Sequence, residues 1–100
     1  MKYYCEYVNH MLRFFTRYYK RENEVKFKKE VDSKNWEAVK RVLDNLPEKD
    51  RNVIIDIYSR KDTLSDNVYE VSKEFGIDQD SIWVIVNKIT RKIAKERELI

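Results

Sequence analysis

Four cations, Lys88, Arg91, Lys92 and Lys95, fall within eight positions of one another in this 100-residue chain. At helical spacing Val84, Asn87, Lys88, Arg91 and Lys95 share one side, and Ile82, Ile85, Val86, Ile89 and Ile93 share the other. The polar side has the chemistry to meet a duplex. Asn87 can bond a base edge and Val84 can touch a thymine methyl, while the four cations neutralise phosphates. The same stripe also serves, without any ligand, as a solvated basic face. Trp83 lies on the flank between the two sides. Three roles are open to it: packing against an aromatic helix at the N-terminus, anchoring a protein partner, or touching DNA.

Other chemistries find no residues to support them. Cys5 is the only cysteine and His10 the only histidine, so a zinc site fails on ligand count and no internal disulfide can form. A single reduced thiol suits the cytosol, and a cytoplasmic location is expected. No base or acid is placed to activate that thiol. Asp78 and Asp80 resemble an acid/base pair but are explained as a helix cap and a first-turn residue. With one glycine there is no loop to cradle a phosphate. The expectation is therefore a non-enzyme with no catalytic residue, cofactor or metal. No apolar run suggests a signal peptide or a membrane span, and no membrane partner is expected.

Charge is unevenly spread. Residues 1–34 carry a net +4 and residues 35–100 a net −1. Within the second part, residues 62–80 hold six carboxylates against Lys73 alone, whereas residues 88–97 hold five cations against Glu96 alone. The chain thus has a basic arm, an acidic middle and a basic end.

The elements that must position these groups read as helices, because helix formers are common and Gly and Pro are scarce. A first amphipathic helix is expected from about Lys2 to Lys20, with Tyr4, Tyr7, Val8, Met11, Phe15, Tyr18 and Tyr19 as its apolar stripe. A stripe this aromatic must cover something, either the rest of the chain or a second copy, and docking on its own chain is favoured. Arg21 to Lys34, with Val25, Phe27 and Val31 spaced through it, is a linker or a weak helix. Asp32 and Ser33 are candidate N-caps for a helix from about Asn35 to Asn45, whose apolar face is Trp36, Val39, Val42, Leu43 and Leu46. Pro47 ends it and suits the start of the next helix, Glu48 to Ser59, with Val53, Ile54 and Ile57 inward. A helix from about Asn67 to Phe75 is closed by Gly76, and a last one begins after Asp78 and extends toward Glu98. Two parts are expected: 1–34, the aromatic helix and charged linker, and 35–100, a helical domain.

The segment from Val68 to Ile85 has the spacing of a helix-turn-helix. With Gly76 as the turn glycine, Val71 and Phe75 are expected to face the hinge and Ser72 to be small where the second helix crosses. Ile77 plugs the corner, and Ile82 and Ile85 lock the second helix down. The run Leu46-Pro47-Glu48-Lys49-Asp50-Arg51 resembles the opening of region four of bacterial sigma factors. Tyr69-Glu70-Val71-Ser72-Lys73-Glu74-Phe75-Gly76-Ile77 is similar to that family's first motif helix and turn. Ile82, Ile85, Ile89 and Ile93 match its core spacing. The resemblance covers about Trp36 to Arg97 and extends to small sigma-like proteins of phages and mobile elements. It implies an all-α fold: a sigma region 4-like helix-turn-helix bundle with an additional N-terminal amphipathic helix. It also implies promoter-type binding to double-stranded DNA and contact with RNA polymerase. In the family the positions matching Gln79, Ser81, Trp83 and Val84 help read DNA; here two of the four are apolar, and Asp78 and Asp80 add negative charge beside them.

The expected function is transcription regulation through DNA, with Gln79, Ser81, Val84, Asn87, Lys88, Arg91, Lys92 and Lys95 at the interface and Trp83 as a partner-binding residue. The alternative is a protein-interaction module, a homodimer or a polymerase-binding protein, that keeps the scaffold without reading DNA.

Overall fold

Proline lacks a backbone donor and has a fixed φ, so it punctuates helices at their starts. Pro47 does so here, with φ −55° and ψ 147° immediately before a helix whose first turn carries Glu48 and Asp50. The computed structural model describes residues 3–19 and 26–100, and among them five α-helices and no strand. They are α1 (Tyr3–Phe15), α2 (Glu30–Asp44), α3 (Glu48–Ser59), α4 (Leu64–Phe75) and α5 (Gln79–Glu96). The all-α expectation holds for the described residues. None of these helices is long and apolar enough to cross a membrane. The bounds of α3 and the start of α5 match the sequence reading.

Three boundaries differ from it. The first helix stops at Phe15, and residues 16–19 tighten into a 3₁₀ turn instead of continuing. Lys2, Lys20 and Val25 lie outside the described residues. The second helix starts at Glu30, not Asn35, after Lys29, which makes no side-chain cap bond. Asp32 and Ser33 are thus inside α2. Asp32 lies in its first turn, where a carboxylate complements the exposed N–H groups as well as it would at a cap. The fourth helix begins a turn early, because Thr63 is its N-cap and its side chain accepts from the Asp66 N–H at 3.2 Å.

Asn67, expected to open α4, does another job. It is buried, and its Nδ2 lies 3.0 Å from the Ile57 carbonyl, 3.3 Å from that of Arg60 and 3.1 Å from that of Asp62. The Ile57 and Arg60 carbonyls lie at the end of α3, where intrahelical donors run out, and the Asp62 carbonyl lies in the loop that follows. Arg13 reaches across from α1 and donates to the Arg60 and Asp62 carbonyls at 3.5 and 3.1 Å.

One core joins all five helices. Val8 and Leu12 of α1 are fully buried with Val39 and Leu43 of α2, Val53, Ile54 and Ile57 of α3, Val68 and Val71 of α4, and Ile82, Ile89 and Ile93 of α5. The aromatic helix therefore docks on its own chain, across α2, α3 and α5. Helix α5 is the centre of the arrangement and packs against each of the other four.

Polar contacts tie the ends together. The Tyr58 hydroxyl, buried beneath α1, donates to Asn9 Oδ1 at 2.7 Å, and burial raises its pKa above the ordinary tyrosine range. Asn35, also buried, accepts from Arg97 Nε at 2.6 Å and donates to the Tyr7 hydroxyl at 3.0 Å, so α1, α2 and the end of α5 meet at one amide. Tyr7 itself stays largely exposed. Tyr19 donates to Asp44, and that bond, with help from Lys40, holds the Asp44 carboxyl below its ordinary pKa. Phe15, Phe27 and Trp36 close the far end, with ring centroids 5.4 to 6.4 Å apart.

Candidate nucleic-acid interface

The turn between α4 and α5 spans 76–78 and is built from local chemistry. Gly76 has φ +64° and ψ 34°, the left-handed conformation that glycine adopts without steric penalty. The Gly76 and Ile77 N–H groups both return to the Ser72 carbonyl, the latter at 3.1 Å, which satisfies the end of α4. The Ser72 hydroxyl donates onward to the Ile77 carbonyl. A small residue at 72 was expected from spacing; its role in closing the turn was not. Asp78 then caps α5, its carboxylate accepting from the Ser81 N–H at 3.3 Å.

A Cβ added at Gly76 would meet nothing within 4 Å. The penalty for Gly76→Ala is therefore one of backbone conformation, about 1 kcal/mol. Gly76→Asn is expected to cost less, because asparagine tolerates this region better. Urea midpoints of the two variants check this. An unchanged midpoint for Gly76→Ala would contradict a left-handed turn.

Val71 and Ile82 are fully buried, and Ile77 and Ile85 pack half-buried against the core, as their spacing implied. Phe75 does not face the hinge. It is 42% exposed and lines a shallow cleft with Asn52, Ile55, Asp56 and Ser59. With Val71 already filling the hinge, the ring at the last residue of α4 turns toward α3 instead.

Gln79, Ser81, Val84, Asn87, Lys88, Arg91, Lys92 and Lys95 are all exposed along α5, and Val84 is the most exposed large apolar residue described, at 66%. Among the described residues Lys88, Arg91, Lys92 and Lys95 have no ion-pair partner. Arg41 and Arg60 differ. Arg41 holds Glu96 at 2.6 Å, and Arg60 is bonded to Asp56 and Glu74, which keep its pKa above the ordinary arginine value. Trp83 is half-buried and packs against the core.

The exposed face has two walls. On one side Tyr4 and Cys5 of α1 form a cleft of about 330 Å³ with Asn87, Lys88, Thr90 and Arg91. On the other, Arg41, Val42 and Asn45 of α2 form one of about 300 Å³ with Lys92, Lys95 and Glu96. Both walls flank the C-terminal half of α5. Tyr4 and Arg41 thereby join the candidate face. No sequence spacing relates them to it, since each comes from a separate helix.

The carboxylates of residues 62–80 are partly used inside the fold. Asp78 caps α5 and Glu74 pairs with Arg60. The Lys73 ammonium sits 4.4 Å from the Tyr69 ring centroid, a cation–π distance. Among the described residues no group of His, Cys, Asp and Glu could hold a metal ion.

No family model, curated protein or solved structure matches this chain.

Proposed function

We propose that α4 and α5 act as a sigma region 4-like helix-turn-helix that binds double-stranded DNA in transcription regulation. The observation that carries this reading is the unpaired cationic stripe on α5. Four like charges on one face repel each other, and among the described residues none of the four has an ion-pair partner; phosphates would offset that repulsion.

The layout divides the work along the helix. Ser81 to Lys95 spans about 21 Å at 1.5 Å per residue, whereas a B-DNA major groove is about 12 Å wide. The N-terminal half of α5, with Gln79, Ser81 and Val84, is the part clear of the two walls and enters the groove. The C-terminal half, held between α1 and α2, stays at the groove edge. The cations lie there, where the sugar–phosphate strand passes. Phosphate contacts of this kind fix register, and base-edge contacts supply sequence preference.

The test is the salt dependence of binding to a 20-bp duplex. Lys95→Gln is expected to make the log–log slope shallower by about 0.9 and to weaken binding to all sequences alike. Ser81→Ala is expected to change sequence preference while leaving the slope alone. An unchanged slope for Lys95→Gln would remove Lys95 from the interface.

A second reading, a protein-interaction module, is favoured by Tyr69 and Phe75, which are 44% and 42% exposed on α4 beside Glu70 and Glu74. On that reading a homodimer or RNA polymerase would cover α4. Solution mass of the wild type and of Tyr69→Ala distinguishes self-association from a monomer.

A further inference from the structure

Cationic residues line three clefts of the described structure. In the one between α2 and α5, Lys92 and Lys95 share the space with a carboxylate, Glu96, which Arg41 holds. The largest of the three, about 400 Å³, lies among Arg13, Arg17, Tyr58, Ser59, Arg60 and Lys61. There Arg13 is engaged by two backbone carbonyls and Arg60 by two carboxylates. Cations at the end of α3 are also explained by its exposed carbonyls, without any ligand.

The cleft between the first turns of α1 and the middle of α5 is different. Lys88 and Arg91 are exposed and unpaired among the described residues, and the Asn87 amide stands exposed beside them. The opposite wall is Tyr4, half-buried, with the half-buried Cys5 next to it. Thr90 also lines the cleft, but its hydroxyl proton is already given to the Val86 carbonyl at 2.7 Å and is not available to a phosphate. Two cations, an asparagine and a tyrosine lining one cleft are a donor set suited to a phosphate diester. The wall is fixed in place, because Val8 and Leu12 anchor α1 in the same core as Ile89 and Ile93.

We infer that this cleft is a second part of the DNA interface, in which Lys88, Arg91, Asn87 and the Tyr4 hydroxyl bind a backbone phosphate as α5 lies against the groove. The inference rests on the DNA-binding reading of α5 and extends it to α1, an element outside the span that resembles sigma region four. The N-terminal helix then both covers the core and sets how far α5 can rotate in the groove, since a phosphate held between α1 and α5 fixes the strand on that side.

Cys5, the chain's only cysteine, reports on occupancy of the cleft. The experiment uses the full chain and a 20-bp random-sequence duplex at low salt. Fluorescence anisotropy reads binding, and the reaction of the thiol with a maleimide reads the cleft. At duplex concentrations about tenfold above Kd, the Cys5 reaction is expected to slow by about tenfold, following the fraction of protein left free. Tyr4→Phe, which removes only the hydroxyl, is expected to weaken binding by about three- to tenfold. A duplex that binds while Cys5 reacts at its free rate, with Tyr4→Phe binding as wild type, would overturn the inference and leave DNA binding by α5 standing. A duplex that does not bind at all would overturn both. Chloride replaced by inorganic phosphate at the same ionic strength is expected to leave the thiol rate nearly unchanged, and equal protection by phosphate alone would overturn a site built for a strand.

Discussion

Leu12→Ala is expected to destabilise the protein by about 3 kcal/mol, the middle of the range for emptying a fully buried leucine site. Leu12 is 0% exposed in the last turn of α1, within a core that includes residues of every other helix. Deleting three of its side-chain carbons removes transfer free energy and leaves a void among groups that relax only partly. A domain of this size has a margin of about 5–15 kcal/mol, so the loss is a substantial part of it. His10, two residues earlier on the same helix, is exposed, and His10→Ala is expected to stay within about 0.5 kcal/mol. Urea unfolding followed by the fluorescence of Trp36 and Trp83 measures both. A Leu12→Ala effect below 1 kcal/mol would mean that α1 is not integral to the core.

The second large effect is at Asn67. Its amide is buried and faces the carbonyls of Ile57, Arg60 and Asp62. An NH₂ has two protons to give, so three carbonyls share two donors. Removing them leaves the buried Ile57 carbonyl without this partner, and an unmade buried bond costs more than a made one contributes. Asn67→Ala is expected to lose about 2 kcal/mol. Asn67→Leu, which restores the lost volume but no donor, is expected to lose about as much. Restoration of stability by leucine would show that volume, not the donor, matters at this position. Arg13 shares the Arg60 and Asp62 carbonyls with Asn67, so Arg13→Ala is expected to couple with Asn67→Ala beyond additivity by about 0.5 kcal/mol.

Where the local signal is chemically unique, the sequence places an element well. Pro47 followed by acidic residues has one sensible register, and α3 begins where it should. Gly76 followed by Asp78 stops one helix and starts another, and the structure shows the left-handed residue and the cap at those positions. Where two residues can do the same job, the boundary slips. Asp32 suits an N-cap and a first turn equally, and it occupies the turn. Asn67 has the composition of a cap, but Thr63 lies one turn earlier with Asp66 three residues on, and that pair starts α4.

The candidate face was legible only within its own helix. Alternation of isoleucine and cation along α5 separates its two sides without further information, and all eight expected contact residues are exposed. The walls were not legible. Tyr4 shares a cleft with Arg91, and Arg41 shares one with Lys95, because α1 and α2 both pack against α5, a fact of tertiary structure with no local signature. Phe75 illustrates the converse. Its spacing suits a hinge, but the space was already filled, and the ring is left at the rim.

DNA binding by the α5 face can be read from selection in a pool of random duplexes with the purified full chain at about 50 and 200 mM salt. Enrichment of a particular site is expected. If four phosphates are neutralised, a log–log salt slope of about −4 is also expected, which weakens binding roughly 250-fold between the two conditions. No enrichment and no binding at the lower salt would contradict DNA binding by α5 and turn attention to the exposed Tyr69 and Phe75 on α4.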